Sequence, residues 1–344
     1  MSSKLQLDDL HWISEGANCH VYEVNRFIAV KVPKPGDQER EQFRKEVKVL
    51  DILSSHPPCP YVVSCFLHND DCIFLEYMRD ICLSCRIQQN HTRDGGTMRV
   101  VRVDKLEPLS LRKIWMSYLA RGVAFLESLN LAHGDLRPEN ILLDRNRLKL
   151  SDFDCTSEIG SVFEACIAPY GRLLGREGGP DEGTAGLLGP RTEQFALGSL
   201  FYLINYGFKV YGDQCLGDDP SGREHGPAVL DLLQAIVFPE LSGEAVIDSI
   251  IRRCWHGEYR TVIELATDTV SLLCAGDVDR SKLEDSNIPQ EESLLHRRVC
   301  EDLVASGLPK ALSSQSPRGL GKRMNRRYTP YLRESSAVGR LEHM

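Results

Sequence analysis

The sequence has no basic excess. Its 344 residues carry a formal net charge of -8 with a pI near 5.7, which argues against nucleic acid or an anionic membrane surface as the main partner. It also has no long apolar run. The longest apolar-leaning stretch, Phe195 to Phe208, contains Asn205 and Tyr206 and is too short to span a bilayer. The opening MSSKLQLDDLHWISEG lacks the basic start and apolar centre of a secretory signal. The expectation is a soluble cytoplasmic or nuclear protein, not secreted and without a transmembrane segment. Disulfide-like spacing is missing too: twelve cysteines are scattered and read as reduced thiols. One CxxC, Cys82 to Cys85, has no second pair or His cluster nearby, so neither a zinc nor a redox role is expected, since a structural zinc site needs four ligands. Internal repeats are absent. What remains is ordinary globular composition, 42% hydrophobic and 26% charged, enough for a sizeable core.

The first part of the chain reads as strands. WISEG, HVYEV and RFIAVKV are short β-rich runs. From Gln38 to Leu53 the period changes to helical, with Phe43, Val47, Leu50 and Leu53 on one stripe. YVVSCFL and CIFLEYM follow, joined by HNDD, whose Asn and Asp suit a hairpin turn. Residues 88–108 read as a loop excursion turning at DGG. Ser110 is the expected N-cap of a long helix containing Leu111, Trp115, Leu119, Val123 and Leu126. Residues 155–190 are glycine-rich and irregular, and apolar helical patterns then run to about 274. The predicted fold class is α+β and bilobal: a small β-rich lobe over 8–78 and a larger, mainly helical lobe over 79–274. Residues 275–344 read as a polar, partly disordered tail, with one helix candidate at EESLLHRRVCEDLVAS and a basic KRMNRR at 322–327.

The stretch LAHGDLRPENILLDRNRLKLSDFD, residues 131–154, carries the chemistry. Asp135 sits in a turn between apolar runs, Asn140 follows five residues later, and Asp152 ends the strand-like run RLKLS. Phosphoryl transfer needs a base or orienter for the nucleophile, carboxylate and amide oxygens for a metal ion, and a lysine on the phosphates. Those residue types are present. Taken singly, each would better suit a surface turn with buried Asp and Asn caps.

Together these segments resemble the protein kinases over roughly 260 residues. AVKV at 29–32 is similar to the VAIK strand, which implies Lys31 on the α- and β-phosphates and Glu46 as its helix partner. HGDLRPEN resembles HRDLKPEN, implying Asp135 as catalytic base and Asn140 as a metal ligand, with Arg137 in place of the lysine that meets the γ-phosphate. SDFD resembles DFG, implying Asp152 as the principal Mg2+ ligand. Gly16, Val21 and Ala29 fall at nucleotide-binding positions. IFLEYM looks like the hinge, with Leu75 as gatekeeper and Glu76, Tyr77 and Met78 offering backbone groups to adenine. GTAGLLGPR at 183–191 is similar to GTxxYxAPE, with Thr184 beside the catalytic aspartate, and EQFALG and CWHGEYR are similar to later helical-lobe segments. The resemblance implies ATP with Mg2+, or Mn2+ in its place, and a protein substrate of unstated identity; oligomeric state is not implied. In style the chain is similar to small, divergent kinase-domain proteins of filamentous fungi.

The pattern departs from the family at named positions. Ser14, Gly16 and Cys19 occupy the three glycine positions of GxGxxG. Gly134 replaces the HRD arginine, which implies a non-RD protein not switched by activation-loop phosphorylation. Asp154 replaces the DFG glycine. Arg191 replaces the APE glutamate and is expected to face Arg260, with Glu193 as the nearest compensating charge. PEN and Thr184 favour Ser/Thr over Tyr. The alternatives are a pseudokinase that binds partners, with or without nucleotide, and an aminoglycoside- or choline-type small-molecule kinase, which shares HGD but not the later segments.

Overall fold

The β-branched and aromatic runs at the start of the chain pair as an antiparallel sheet in the computed structural model, which describes residues 10–80, 82–97, 99–216, 224–273 and 288–313. The strands β1 (His11–Glu15), β2 (Cys19–Asn25), β3 (Ile28–Pro33), β4 (Cys65–Asn69) and β5 (Cys72–Glu76) lie in the order β1-β2-β3-β5-β4. Asparagines close two of the turns. Asn25 Oδ1 accepts the N–H groups of Phe27 and Ile28 at 2.8 and 3.0 Å, and Asn69 Oδ1 those of Asp71 and Cys72 at the same distances. Helix α1 (Asp37–Ser54) follows β3 and buries Phe43, Glu46, Val47, Val49 and Leu50.

Strand alternation divides the sheet into two faces. Cross-strand pairs Val21–Lys31, Lys31–Ile73 and Ala29–Leu75 lie on one. Tyr22, Val30 and Phe74 lie on the other, within a buried apolar cluster.

The chain divides into two units, and the sheet belongs to the one holding described residues 10–58, 63–80 and 288–313. The other holds 59–62, 82–97, 99–216 and 224–273. It begins with α2 (Leu83–Gln88) and the hairpin β6 (His91–Arg93) and β7 (Val100–Val103). The region expected as a loop is thus partly paired, because Asp94 Oδ1 accepts the N–H groups of Gly96 and Thr97 at 3.1 and 2.8 Å and closes the turn. Helix α3 (Leu109–Ser128) has Pro108 rather than Ser110 at its N-cap. Its Trp115 is fully buried and donates Nε1–H to Asn146 O at 2.9 Å.

Next come β8 (Leu131–Ala132), β9 (Ile141–Asp144), β10 (Arg147–Leu150) and β11 (Ser157–Glu158), then α4 (Pro190–Tyr206), α5 (His225–Gln234), α6 (Ala245–Trp255) and α7 (Val262–Ser271). Glu127 at the end of α3 accepts the Val262 and Ile263 N–H groups at 2.9 and 3.2 Å, placing a carboxylate at the N-terminus of α7, where the helix dipole favours it.

The segment read as a tail is folded in its described part. Helices α8 (Gln290–Ala305) and α9 (Leu308–Ser313) put Cys300, Leu308 and Leu312 into the apolar cluster with Tyr22, Val30 and Phe66. A narrow stripe of α8 meets the sheet: Cys300, Leu303 and Val304 join the apolar cluster, and the His296 ring packs on Phe66 and Phe27. Charged residues cover much of the rest, so composition alone reads as tail. KRMNRR lies outside the described residues.

Candidate active site

In the sheet unit, β3 carries Lys31 and α1 carries Glu46, and Lys31 Nζ stands 2.6 Å from Glu46 Oε2 with both side chains buried. The geometry follows from order in the chain: β3 feeds α1, and Glu46 falls on that helix's buried face. Val21, Ala29 and Leu75 share the sheet face of Lys31. Ahead of them, Gly16 N–H donates to Cys19 O at 3.0 Å, closing the β1–β2 turn. A Cβ on Gly16 would stand 3.2 Å from Cys19 Sγ.

After β5, the N–H groups of Glu76 and Tyr77 are committed, to Ser64 O and Phe27 O at 2.8 Å each. Among the described residues the Met78 N–H has no partner. Of the three residues expected to offer backbone groups to adenine, Met78 therefore retains a free backbone donor.

In the helical unit, the loop after β8 is held from three sides. His133 is fully enclosed. Its Nε2 lies 3.1 Å from Ser151 O and its Nδ1 accepts the Asp135 N–H at 3.4 Å, and burial lowers its pKa to about 4, so the ring is neutral at pH 7. Thr156 Oγ1 donates to His133 O at 3.1 Å. From α4, Glu193 accepts the N–H groups of His133 and Gly134 at 2.8 and 3.3 Å. Burial pushes the Glu193 carboxyl up to about 7 despite these two donors.

The functional side chains converge on this scaffold. Asn140 Nδ2 donates to Asp135 O and to Asp135 Oδ2, both at 2.9 Å, and Arg137 Nε stands 3.1 Å from the same Oδ2. Among the described residues Asp135 Oδ1 and Asn140 Oδ1 accept no hydrogen bond. Asp135 is drawn in two directions. Burial raises its pKa, the Arg137 guanidinium and the Asn140 amide lower it, and the net position is about 6. The next strand is tied to the same loop, since Ser151 N–H and Oγ–H donate to Asn140 O at 3.0 and 2.9 Å. Asp152 follows with φ 66, a left-handed backbone unusual for a non-glycine residue and met at functional turns.

Known proteins match the chain at this level. The family model described as protein tyrosine and serine/threonine kinase matches residues 11–164. A probable serine/threonine-protein kinase of Dictyostelium discoideum is 26% identical over 275 residues, covering 74% of this chain and 15% of that protein. The liver/testis phosphorylase b kinase gamma catalytic chain of Homo sapiens is 30% identical over 141 residues (40% and 32%), and a tyrosine-protein kinase of Hydra vulgaris 28% over 148 (42% and 18%). Residues 11–164 are thus similar to the protein kinases. The chain spans less than a third of the length of each of these relatives.

Against the kinase pattern, the structure corrects three sequence expectations. Thr184 does not stand beside Asp135. It is exposed, and its hydroxyl donates to Asp181 O at 2.8 Å. The residues that line a small pocket with Asp135 and Arg137 are Phe163, Ala165, Ile167 and Tyr170. Two long-range pairs bring the ends of this segment together, Phe163 N–H donating to Gly186 O at 3.0 Å and Leu188 N–H to Ser161 O at 2.8 Å, while Thr184 stays in its local turn, its N–H donating to Asp181 O at 3.0 Å. The Ala168-Pro169 dipeptide in this stretch was the available signal for the AP of GTxxYxAPE.

Nor does Arg191 face Arg260. Arg191 Nη2 donates to Ala185 O at 2.8 Å, and the neighbouring cation is Arg172, which together with burial lowers the Arg191 pKa. Arg260 is exposed. The α6–α7 loop is fastened to α4 by an amide pair instead, with Gln194 Nε2 donating to Tyr259 O at 2.9 Å and Tyr259 N–H to Gln194 Oε1 at 3.1 Å.

Glu193 is therefore not a counter-charge for Arg260 but the acceptor for the HGD backbone, which the sequence reading left outside its site residues. Asp154 lies near enough to Asp135 to raise its pKa, and it hydrogen-bonds the Cys155 thiol. No helix of the described residues is long and apolar enough to cross a membrane.

Proposed function

We propose that the chain transfers the γ-phosphoryl group of ATP to Ser or Thr hydroxyls of protein substrates. The observation that carries the reading is the Asp135 carboxylate, gripped at Oδ2 by Asn140 and Arg137 and open at Oδ1. Oδ1 is then the atom that takes the proton of the incoming hydroxyl. A pKa near 6 leaves it ionised at neutral pH yet close enough to that pH for efficient proton transfer.

The donor set fits a hard divalent cation. Asn140 has its NH2 group committed to Asp135, which turns the amide oxygen outward, and Asp152 adds a carboxylate. One or two protein oxygens, with phosphates and water completing the shell, suit Mg2+. When bound, that ion neutralises charge across the phosphates. Lys31, aligned by Glu46, supports the phosphates, and Met78 N–H with the Val21, Ala29 and Leu75 face accommodates the base. Arg137 orients Asp135 and adds positive charge at the transferred group. Gly16 closes the loop over which the phosphates pass.

The Ser/Thr assignment rests on the PEN turn and on the Dictyostelium relative's stated class. Gly134 supports a non-RD protein, and a kinase-like domain of 8–274 in a cytoplasmic or nuclear setting completes the reading. The pseudokinase alternative draws on Ser14 and Cys19, which pack the turn where glycines would leave backbone open.

The test is phosphate incorporation from radiolabelled ATP with Mg2+ or Mn2+ into a Ser/Thr/Tyr peptide library, followed by phosphoamino-acid analysis. Incorporation into Ser and Thr, lost in Asp135→Asn, supports the proposal. Thermal stabilisation by ATP with no transfer in either protein sinks it in favour of the pseudokinase.

A further inference from the structure

Cys82 and Cys85 bracket the first turn of α2, and their sulfurs lie 3.4 Å apart with the Cys82 thiol donating to Cys85. Spacing of three residues at a helix start brings both side chains to one face. Cys82 is half-buried and Cys85 buried. A disulfide requires a separation of about 2.05 Å, so the sulfurs need approach by only about 1.4 Å.

The pair also has a consequential neighbour. The Cys82 backbone bridges Leu142 in β9, and α2 packs against both β9 and the Pro138–Asn140 turn. Cysteines elsewhere are differently placed: Cys65 faces His68 at 3.5 Å, Cys72 donates to Asn69 at 3.4 Å, and Cys254 is fully buried.

We propose that Cys82 and Cys85 form a reversible dithiol–disulfide pair, a redox modification site for hydroperoxides beside the turn that carries Asn140. The Cys85 sulfur, which accepts the Cys82 S–H, attacks the peroxide as its thiolate; an S–O bond forms as the O–O bond breaks, and water or an alcohol leaves with a sulfenic acid at Cys85. The Cys82 sulfur then attacks Cys85, the S–S bond forms as the S–O bond breaks, and hydroxide departs with the Cys82 thiol proton as water. Two electrons pass from the two sulfurs to the peroxide. A thiol reductant reverses the bond by exchange.

The experiment treats the full chain with hydrogen peroxide, alkylates the remaining thiols after denaturation, and maps every cysteine by mass spectrometry. The proposal expects the peptide holding Cys82 and Cys85 to lose two hydrogen masses at a dose that leaves Cys254 and Cys300 alkylated, and to regain them with dithiothreitol. In Cys82→Ser, dimedone should label a sulfenic acid at Cys85. In Cys85→Ser, Cys82 should stay a thiol at that dose. If both cysteines remain thiols while others oxidise, or if Cys82 and Cys85 bridge to different partners, the proposal is overturned.

Discussion

A Cβ on Gly134 would stand 2.5 Å from the carbonyl oxygen of Cys155, and Gly134 itself has φ +75. The position where the family has the HRD arginine is therefore shaped for glycine in this chain. Returning the arginine does not simply restore a phosphate receptor, because the side chain enters against backbone in a conformation that L residues rarely adopt. Gly134→Ala and Gly134→Arg should each lose about 1–3 kcal/mol of stability, read as a lower denaturant midpoint. Gly134→Arg should gain no activity on activation-segment phosphorylation. A stable Gly134→Arg protein activated manyfold by such a phosphate would contradict this.

Glu193 makes stability depend on pH. Its folded pKa, about 7, lies above the ordinary glutamate value of 4.5, so the folded state binds the extra proton more tightly. The resulting stabilisation is full below about 4.5 and is lost as pH rises through about 7. Asp135 acts with the same sign, from 3.8 to about 6. Urea midpoints should fall between pH 5 and pH 8, and Glu193→Gln should flatten that fall. Because an amide presents only one acceptor to the His133 and Gly134 N–H groups, the variant should also be less stable at pH 5, by about 1–3 kcal/mol. An unchanged pH slope in Glu193→Gln would refute the assignment.

Leu312 is fully buried in the cluster that includes Tyr22, Val30 and Phe74. Leu312→Ala should cost about 2–5 kcal/mol, and hydrogen exchange should quicken along β2 and β3. Exchange there that matches the unaltered protein would mean that the C-terminal helices contribute nothing to the sheet's stability.

The parts of this site that were legible from sequence are local. Lys31 and Glu46 are linked by one strand and the helix it enters, and Asp135, Asn140 and Asp152 sit in a single stretch whose turn and strand signals are short-range. What escaped notice depends on distant partners. Cys300 and Leu312 find their apolar surface on strands far earlier in the chain, and nothing in the polar helix around them announces it. Thr184 matches a motif by letter, yet its side chain is exposed and its hydroxyl is bonded to Asp181 O. In sequence Glu193 reads only as a charge, and its two backbone donors on the HGD loop are visible only in three dimensions.

The most direct test of the central claim is the pH dependence of phosphoryl transfer for the unaltered protein beside Asp135→Asn, with nucleotide affinity measured in parallel. The account predicts an acid limb near pH 6 as Asp135 gains its proton. It predicts a loss of about 10²- to 10⁴-fold in kcat for Asp135→Asn, with ATP affinity nearly unchanged. Equal transfer by the two proteins across pH 5 to 8 would contradict it.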